Sequence, residues 1–243
     1  MPLPFDFGAI RAILLDIEGT TTPVDFVFKT LFPFARERVL AFLRAHGEKA
    51  EVAADVRGLR GEHARDAAAG NGPPPWADDA ASVAGYARWL MDQDRKATAL
   101  KSLQGRIWED GFRTGALVGA VYPDVPAAFA RWTKAGRTLA IFSSGSVLAQ
   151  RLLFGHSAVG DLTPYLSGYF DTTTGPKREA SSYQALAAAL GRPPSEVLFL
   201  SDVTAELDAA RSAGMDTALC VRDGGPEVPG AGYAVIRSFD EVP

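Results

Sequence analysis

The 243-residue chain is poor in several things at once. Cys220 is its only cysteine, which excludes an internal disulfide and a cysteine-cluster zinc site and suits a reducing cytoplasm. The three histidines, His46, His63 and His156, have no metal-ligand spacing and none adjoins an acidic motif, so they are expected in structural or surface roles. Positive charge is not in excess. A formal net charge of -4 argues against a general affinity for nucleic acid or an anionic membrane, either of which needs a basic face. Near the N-terminus the one apolar segment is closely bounded by Arg11 and Asp16, so neither signal peptide nor membrane anchor is expected. Nor does any internal period mark a repeat architecture.

What is present is apolar surface enough for a sizeable core, 47% of residues being hydrophobic. The length suits one core domain plus an insertion. Short apolar runs at Ala12 to Leu15, Thr138 to Phe142, Val197 to Leu200 and Thr217 to Val221 lack period-two alternation, as strands covered on both faces do. Amphipathic stretches of helical length lie between them, at Val125 to Ala135, Glu179 to Leu190 and Thr204 to Ala213. The alternation predicts an α/β fold with a doubly wound parallel sheet. Residues 26–121 break this rhythm and read as helical, split by the breaker-rich "GNGPPPWADD". The expected organisation is a core of residues 1–25 and 122–243 and a helical cap, 26–121, inserted after the first strand as a candidate lid. "GGPEVPGAGY" reads as a loop and "SFDEVP" as a terminal tail.

Four places could carry chemistry, and each also has an ordinary explanation. Asp16 and Glu18 follow the first apolar run, where both could face one ligand or simply be solvated at a strand-to-loop junction. "FSSGS" puts Ser143 and Ser144 at the end of a strand and the start of a helix, a position that binds anions or needs only capping by Ser144 or Ser146. Lys177 sits in a Gly-Pro loop, placed to neutralise a phosphate or to be a surface charge. Asp202 ends another apolar run, as a second strand-end carboxylate or a helix N-cap, while Glu206 and Asp208 favour the helix dipole. Their order and joint placement outweigh the separate explanations. Hard oxygen donors at Asp16 and Asp202 suit Mg²⁺, which keeps waters and binds a few carboxylates plus substrate phosphate.

"DIEGT", "FSSGS", Lys177 and "LSDVTAE" resemble the four motifs of the haloacid dehalogenase superfamily. Longer stretches, among them "WLMDQDRKATALKSLQGRIWEDGF" and "IFSSGSVLAQRLLFGHSAVGDLTPYLSGYFDT", resemble its enolase-phosphatase (acireductone synthase) family of methionine salvage over nearly the whole chain. The superfamily resemblance implies Asp16 as nucleophile, Asp202 completing a one-Mg²⁺ site, Ser143 holding a phosphate oxygen and Lys177 stabilising charge around Asp16. Glu18 departs from the commoner superfamily Asp at that position, and the family resemblance assigns it to the metal site, with proton transfer as a secondary role. Ser144 is expected to contact substrate.

The implied substrate is the small phosphorylated diketone 2,3-diketo-5-methylthiopentyl-1-phosphate, enolised and then dephosphorylated to 1,2-dihydroxy-3-keto-5-methylthiopentene. Phe28, Phe32, Trp89 and Trp108 are available as an apolar wall for its thioether, and most of them are expected to be cap core. The alternative is a phosphatase of the same superfamily acting on another small phosphate ester without enolisation. A cytoplasmic monomer with no nucleic-acid or membrane partner is expected.

Overall fold

The structure, a computed structural model, describes residues 6–222 and 232–243. Its sheet has six parallel strands: β1 (Ala12–Leu15), β2 (Thr138–Phe142), β3 (Leu166–Phe170), β4 (Val197–Ser201), β5 (Asp216–Cys220) and β6 (Ala234–Ile236), in the order β3-β2-β1-β4-β5-β6. The unbroken apolar runs occupy the middle because helices cover both faces there. All four residues of β1 are buried, and Ile13 pairs with Leu139 on one side and Leu198 on the other. The chain reverses its direction of winding at β1, so the gap beyond the carboxyl ends of β1, β2 and β4 is where such a sheet receives ligands.

Helices Val125–Lys134, Val147–Gly155, Ala180–Ala189 and Thr204–Ser212 fall where amphipathic stretches lead to them. Tyr183 and Leu186 from one helix and Leu207 from another pack on Phe142 and Phe199. Burying each such large side chain stabilises the fold by about 1.5–3 kcal/mol.

The two outermost strands were not legible as apolar runs. β3, "LSGYF", buries only Leu166 fully, and β6 has three residues. "SFDEVP", expected as a tail, is instead built into the core. Ser238 and Glu241 form a capping box around a turn at Phe239–Glu241, and Phe239 and Val242 are fully buried. Arg131 donates to the carbonyls of Phe239 (2.7 Å) and Val242 (2.9 Å), and the Trp132 indole donates to that of Pro243 (3.0 Å). The expected loop "GGPEVPGAGY" lies outside the described residues as far as Ala231.

By internal contact the chain divides into a unit of Met1–Phe26 with Val118–Pro243 and a unit of Val27–Leu117. The second holds a π-turn at Val27–Leu31 and the helices Phe32–His46, Ala50–Ala68, Ala80–Asp92 and Thr98–Arg113. Asp79 opens the third with a capping box to Ser82. Asp66, 3% exposed, accepts from Tyr86 (2.6 Å), Asn71 (2.8 Å) and Arg95 (3.1 Å). Trp108 is buried and donates to the Leu31 carbonyl, Trp89 stacks on Tyr86, and Phe28 is 60% exposed. No helix among the described residues is long and apolar enough to cross a membrane.

Candidate active site

β1 ends at Leu15, and the next residue, Asp16, keeps the ladder going by donating its N–H to the Leu200 carbonyl (3.0 Å). That fixes a carboxylate at the centre of the sheet's carboxyl edge, only 3% exposed. The following loop is wired onto itself. The Ile17 carbonyl takes the N–H groups of Thr20, Thr21 and Thr22, Gly19 N–H bonds the Thr22 carbonyl, and the Thr21 hydroxyl donates to the Asp16 carbonyl (3.1 Å). Gly19 has φ +70°, and a Cβ there would fall inside the Asp202 carboxyl. Only glycine lets the end of β4 come so close to this loop.

Lys177 reaches the same point from the loop before helix Ala180–Ala189. Its Nζ lies 2.6 Å from Asp16 Oδ1 and 2.6 Å from Glu206 Oε2, and its side chain is almost wholly buried. The loop is held by the Tyr183 hydroxyl on the Lys177 carbonyl (2.8 Å) and the Ser182 hydroxyl on that of Pro176 (2.7 Å). Gly175, at φ +150°, leaves room for Ser182. Burial works against the ammonium charge, but Asp16 and Glu206 outweigh it and raise the Lys177 pKa.

Glu206 is a site residue that reading the sequence missed, having been assigned to the helix dipole. It is 8% exposed, and the Ser201 hydroxyl lies 3.2 Å from its Oε2 and 3.4 Å from Asp16 Oδ2. Its place in the first turn of the helix that follows the acid-ended strand was the one signal available. Asp208, by contrast, bonds Tyr233 at the surface.

Ser143 is fully buried at the end of β2 and Ser144 is exposed. The Ser143 hydroxyl accepts from the Gly145 N–H (3.1 Å) and acts weakly to lower the Glu18 pKa, which places the two side chains near each other. Helix capping falls to Ser146, whose hydroxyl accepts from Ala149 N–H, which leaves Ser144 uncommitted to that role. The three histidines lie elsewhere: His63 against the Pro74 carbonyl, His156 against that of Leu152 and His46 against Phe42.

The electrostatics are unbalanced. Burial first, and then the charge of Asp16, raises the pKa of Glu18, of Asp202 to about 6 and of Glu206 to about 7. Lys177 is a cation that acts on all three. Acids that ionise less readily than usual beside one another are short of positive charge, and hard carboxylate oxygens would receive a hard divalent cation. Among the described residues no three His, Cys, Asp or Glu side chains form a ready-made metal cage. Mg²⁺ needs none, because it is usually held by one or two carboxylates with water and phosphate oxygens. The residues present therefore fit Mg²⁺.

Residues 10–214 match the family model of haloacid dehalogenase-like hydrolases. The chain is 57% identical to "Enolase-phosphatase E1" of Synechococcus elongatus over the whole of both chains. It is 53% identical to the protein of that name in Azotobacter vinelandii, covering 96% of this chain and 97% of the relative. The solved UTR4 protein of Saccharomyces cerevisiae superposes with a TM-score of 0.78 at 35% identity, over 95% of this chain and 99% of that one. A solved dehalogenase, 19% identical with a TM-score of 0.54, shares the fold alone. The chain belongs to the enolase-phosphatase family of haloacid dehalogenase-like hydrolases.

Proposed function

We propose that this enzyme of methionine salvage enolises 2,3-diketo-5-methylthiopentyl-1-phosphate and then removes its phosphate to give 1,2-dihydroxy-3-keto-5-methylthiopentene, with Asp16 as the nucleophile. The observation that carries the reading is the buried contact of Lys177 Nζ with Asp16 Oδ1, 2.6 Å long, at the carboxyl end of the central strand. A carboxylate held there is fixed in direction by its ammonium partner, as a nucleophile must be. In the phosphatase half-reaction an Asp16 oxygen forms a bond to phosphorus while the bond from phosphorus to the substrate oxygen breaks. The leaving oxygen takes a proton, and water then hydrolyses the aspartyl phosphate, returning Asp16 as a carboxylate.

Ser143 and Ser144 hold phosphate and substrate oxygens, and Lys177 stabilises the charge that builds around Asp16. Asp16 and Asp202, with Glu18 from the side of Ser143, would hold one Mg²⁺, which when bound offsets phosphate charge and polarises the oxygen of the enol. Glu18, its pKa raised by burial and by Asp16, is also the acid offered for proton exchange with the substrate. The helical unit Val27–Leu117, inserted after the first strand, is the lid of this reading. The enzyme acts in the cytoplasm as a monomer.

Purified protein given the diketo phosphate with and without Mg²⁺, followed for enol absorbance and for phosphate, tests the reading. Both signals should appear and both should need Mg²⁺. Phosphate without an enol signal would make it a simple phosphatase, and no turnover would end the proposal.

A further inference from the structure

The Asp16–Thr22 loop is bonded to itself several times over, and two further carbonyls are taken from outside. Tyr122 N–H donates to the Thr21 carbonyl (3.0 Å). The Thr20 carbonyl takes two donors from a single side chain, Arg222 Nε (3.0 Å) and Nη2 (2.8 Å). Arg222 lies just past β5, its side chain almost wholly buried. Its guanidinium is sandwiched between the rings of Tyr122 (4.5 Å) and Phe239 (4.4 Å), and Nη1 pairs with Asp124 Oδ2 at 2.6 Å. That carboxylate also accepts from the Phe239 N–H and the Ser238 hydroxyl. Burial works to raise the Asp124 pKa, but Arg222 and the Phe239 N–H outweigh it and lower it.

The guanidinium is thus committed to the Thr20 carbonyl and to Asp124. Its five donors in a planar fork suit this place, where two converge on one carbonyl while a third is held by a carboxylate. We propose that Arg222 is a positioning residue for catalysis: through the Thr20 carbonyl it holds the loop that aims Asp16, and Asp124 and Phe239 lock it there. The segment Ser238–Val242, far from the chemistry in sequence, thereby becomes part of the scaffold of the nucleophile loop. The inference rests on Asp16 being the nucleophile.

The test is Arg222→Lys, which keeps a charge for Asp124 but cannot place two donors on Thr20. Phe239→Leu removes one ring of the sandwich and leaves every donor. Phe129→Leu, in the same core but away from the loop, is the control for lost stability. At a temperature where all are folded, R222K should exchange the amides of the Leu14–Val24 peptide about tenfold faster. Its kcat should fall about 10- to 100-fold, with KM within about threefold, as expected for a misaimed reacting group. F239L should show smaller changes of the same kind and F129L neither. Unchanged exchange in R222K, a kcat within about twofold of the parent, or equal effects in F129L would overturn the proposal. If the parent enzyme itself fails to turn over the diketo phosphate, the functional reading fails, and the exchange comparison still decides whether Arg222 holds the loop.

Discussion

Asp66 in the helical unit and Glu206 in the sheet unit are both buried acids, and their acidities move in opposite directions, Asp202 moving with Glu206. Asp66 is saturated by the Tyr86 hydroxyl, Asn71 and Arg95, and the hydrogen bond from Tyr86 above all lowers its pKa. The two acids of the sheet unit share one lysine with Asp16, and burial followed by the charge of Asp16 raises them. Burial alone does not mark a functional carboxylate. A structural acid has found its donors within the chain, whereas an acid at the site is left short of positive charge that something else must bring.

The strongest attempt to break this contrast is Asp16→Asn. Turnover should fall by at least about a thousandfold while the fold is kept, because the proposed nucleophile is lost. An NMR titration of the same variant should show the Asp202 and Glu206 pKa values falling, since Asp16 is a cause of both shifts. Unchanged values would remove the repulsion from the account. Gly19→Ala comes next. A Cβ pressed into the Asp202 carboxyl at φ +70° should cost about 100-fold in kcat, and wild-type kinetics would show that the loop yields.

Asp66→Asn should do the reverse: a loss of about 1–3 kcal/mol in chemical denaturation, from an acceptor oxygen replaced by a donor among donors, with kcat kept. A kcat that fell with stability would merge the two classes of acid.

The smallest effect is the dependence of stability on pH, and it should have opposite signs in the two units. Glu206, at about 7 in the fold, and Asp202, at about 6, both lie above their ordinary unfolded values. The native state thus holds more protons than the unfolded state from about pH 4 up to those values. The stability tied to them is fully present below about pH 4 and is lost as pH rises through 6 to 7. Asp66 is lowered, so its contribution is present above the unfolded value and lost as pH falls through its lower folded one. Without metal, melting temperature should therefore rise on mild acidification from pH 7.5 to 5 and fall in stronger acid. Added Mg²⁺ should flatten the first slope and raise the melting temperature at pH 7.5. A slope unaffected by Mg²⁺ would separate these acids from the metal.

The central strands and their terminal acids were legible because a strand covered on both faces must be written as an unbroken apolar run, and a charge at its end is conspicuous. β3 escaped because an edge strand is covered on fewer sides and tolerates the Ser167-Gly168 pair. Glu206 escaped because an acid in the first turn of a helix has an ordinary role, and its burial against Lys177 depends on a residue distant in sequence. Arg222 and the Ser238–Val242 segment escaped for the same reason. What was readable was local, and what was missed is held by partners the sequence does not place side by side.

The central position of β1 has a consequence for the order in which the molecule can be made. Its neighbours are Thr138–Phe142 and Val197–Ser201, so the first strand to leave the ribosome has no partner until more than half the chain has followed it. The helices of Val27–Leu117 depend on contacts within their own span and can be complete sooner. A nascent chain of this kind carries a finished helical unit while Ile13, Leu14 and Leu15 are still exposed. The catalytic edge is then the last part to be assembled, closed only when residues near 240 arrive to brace Arg222.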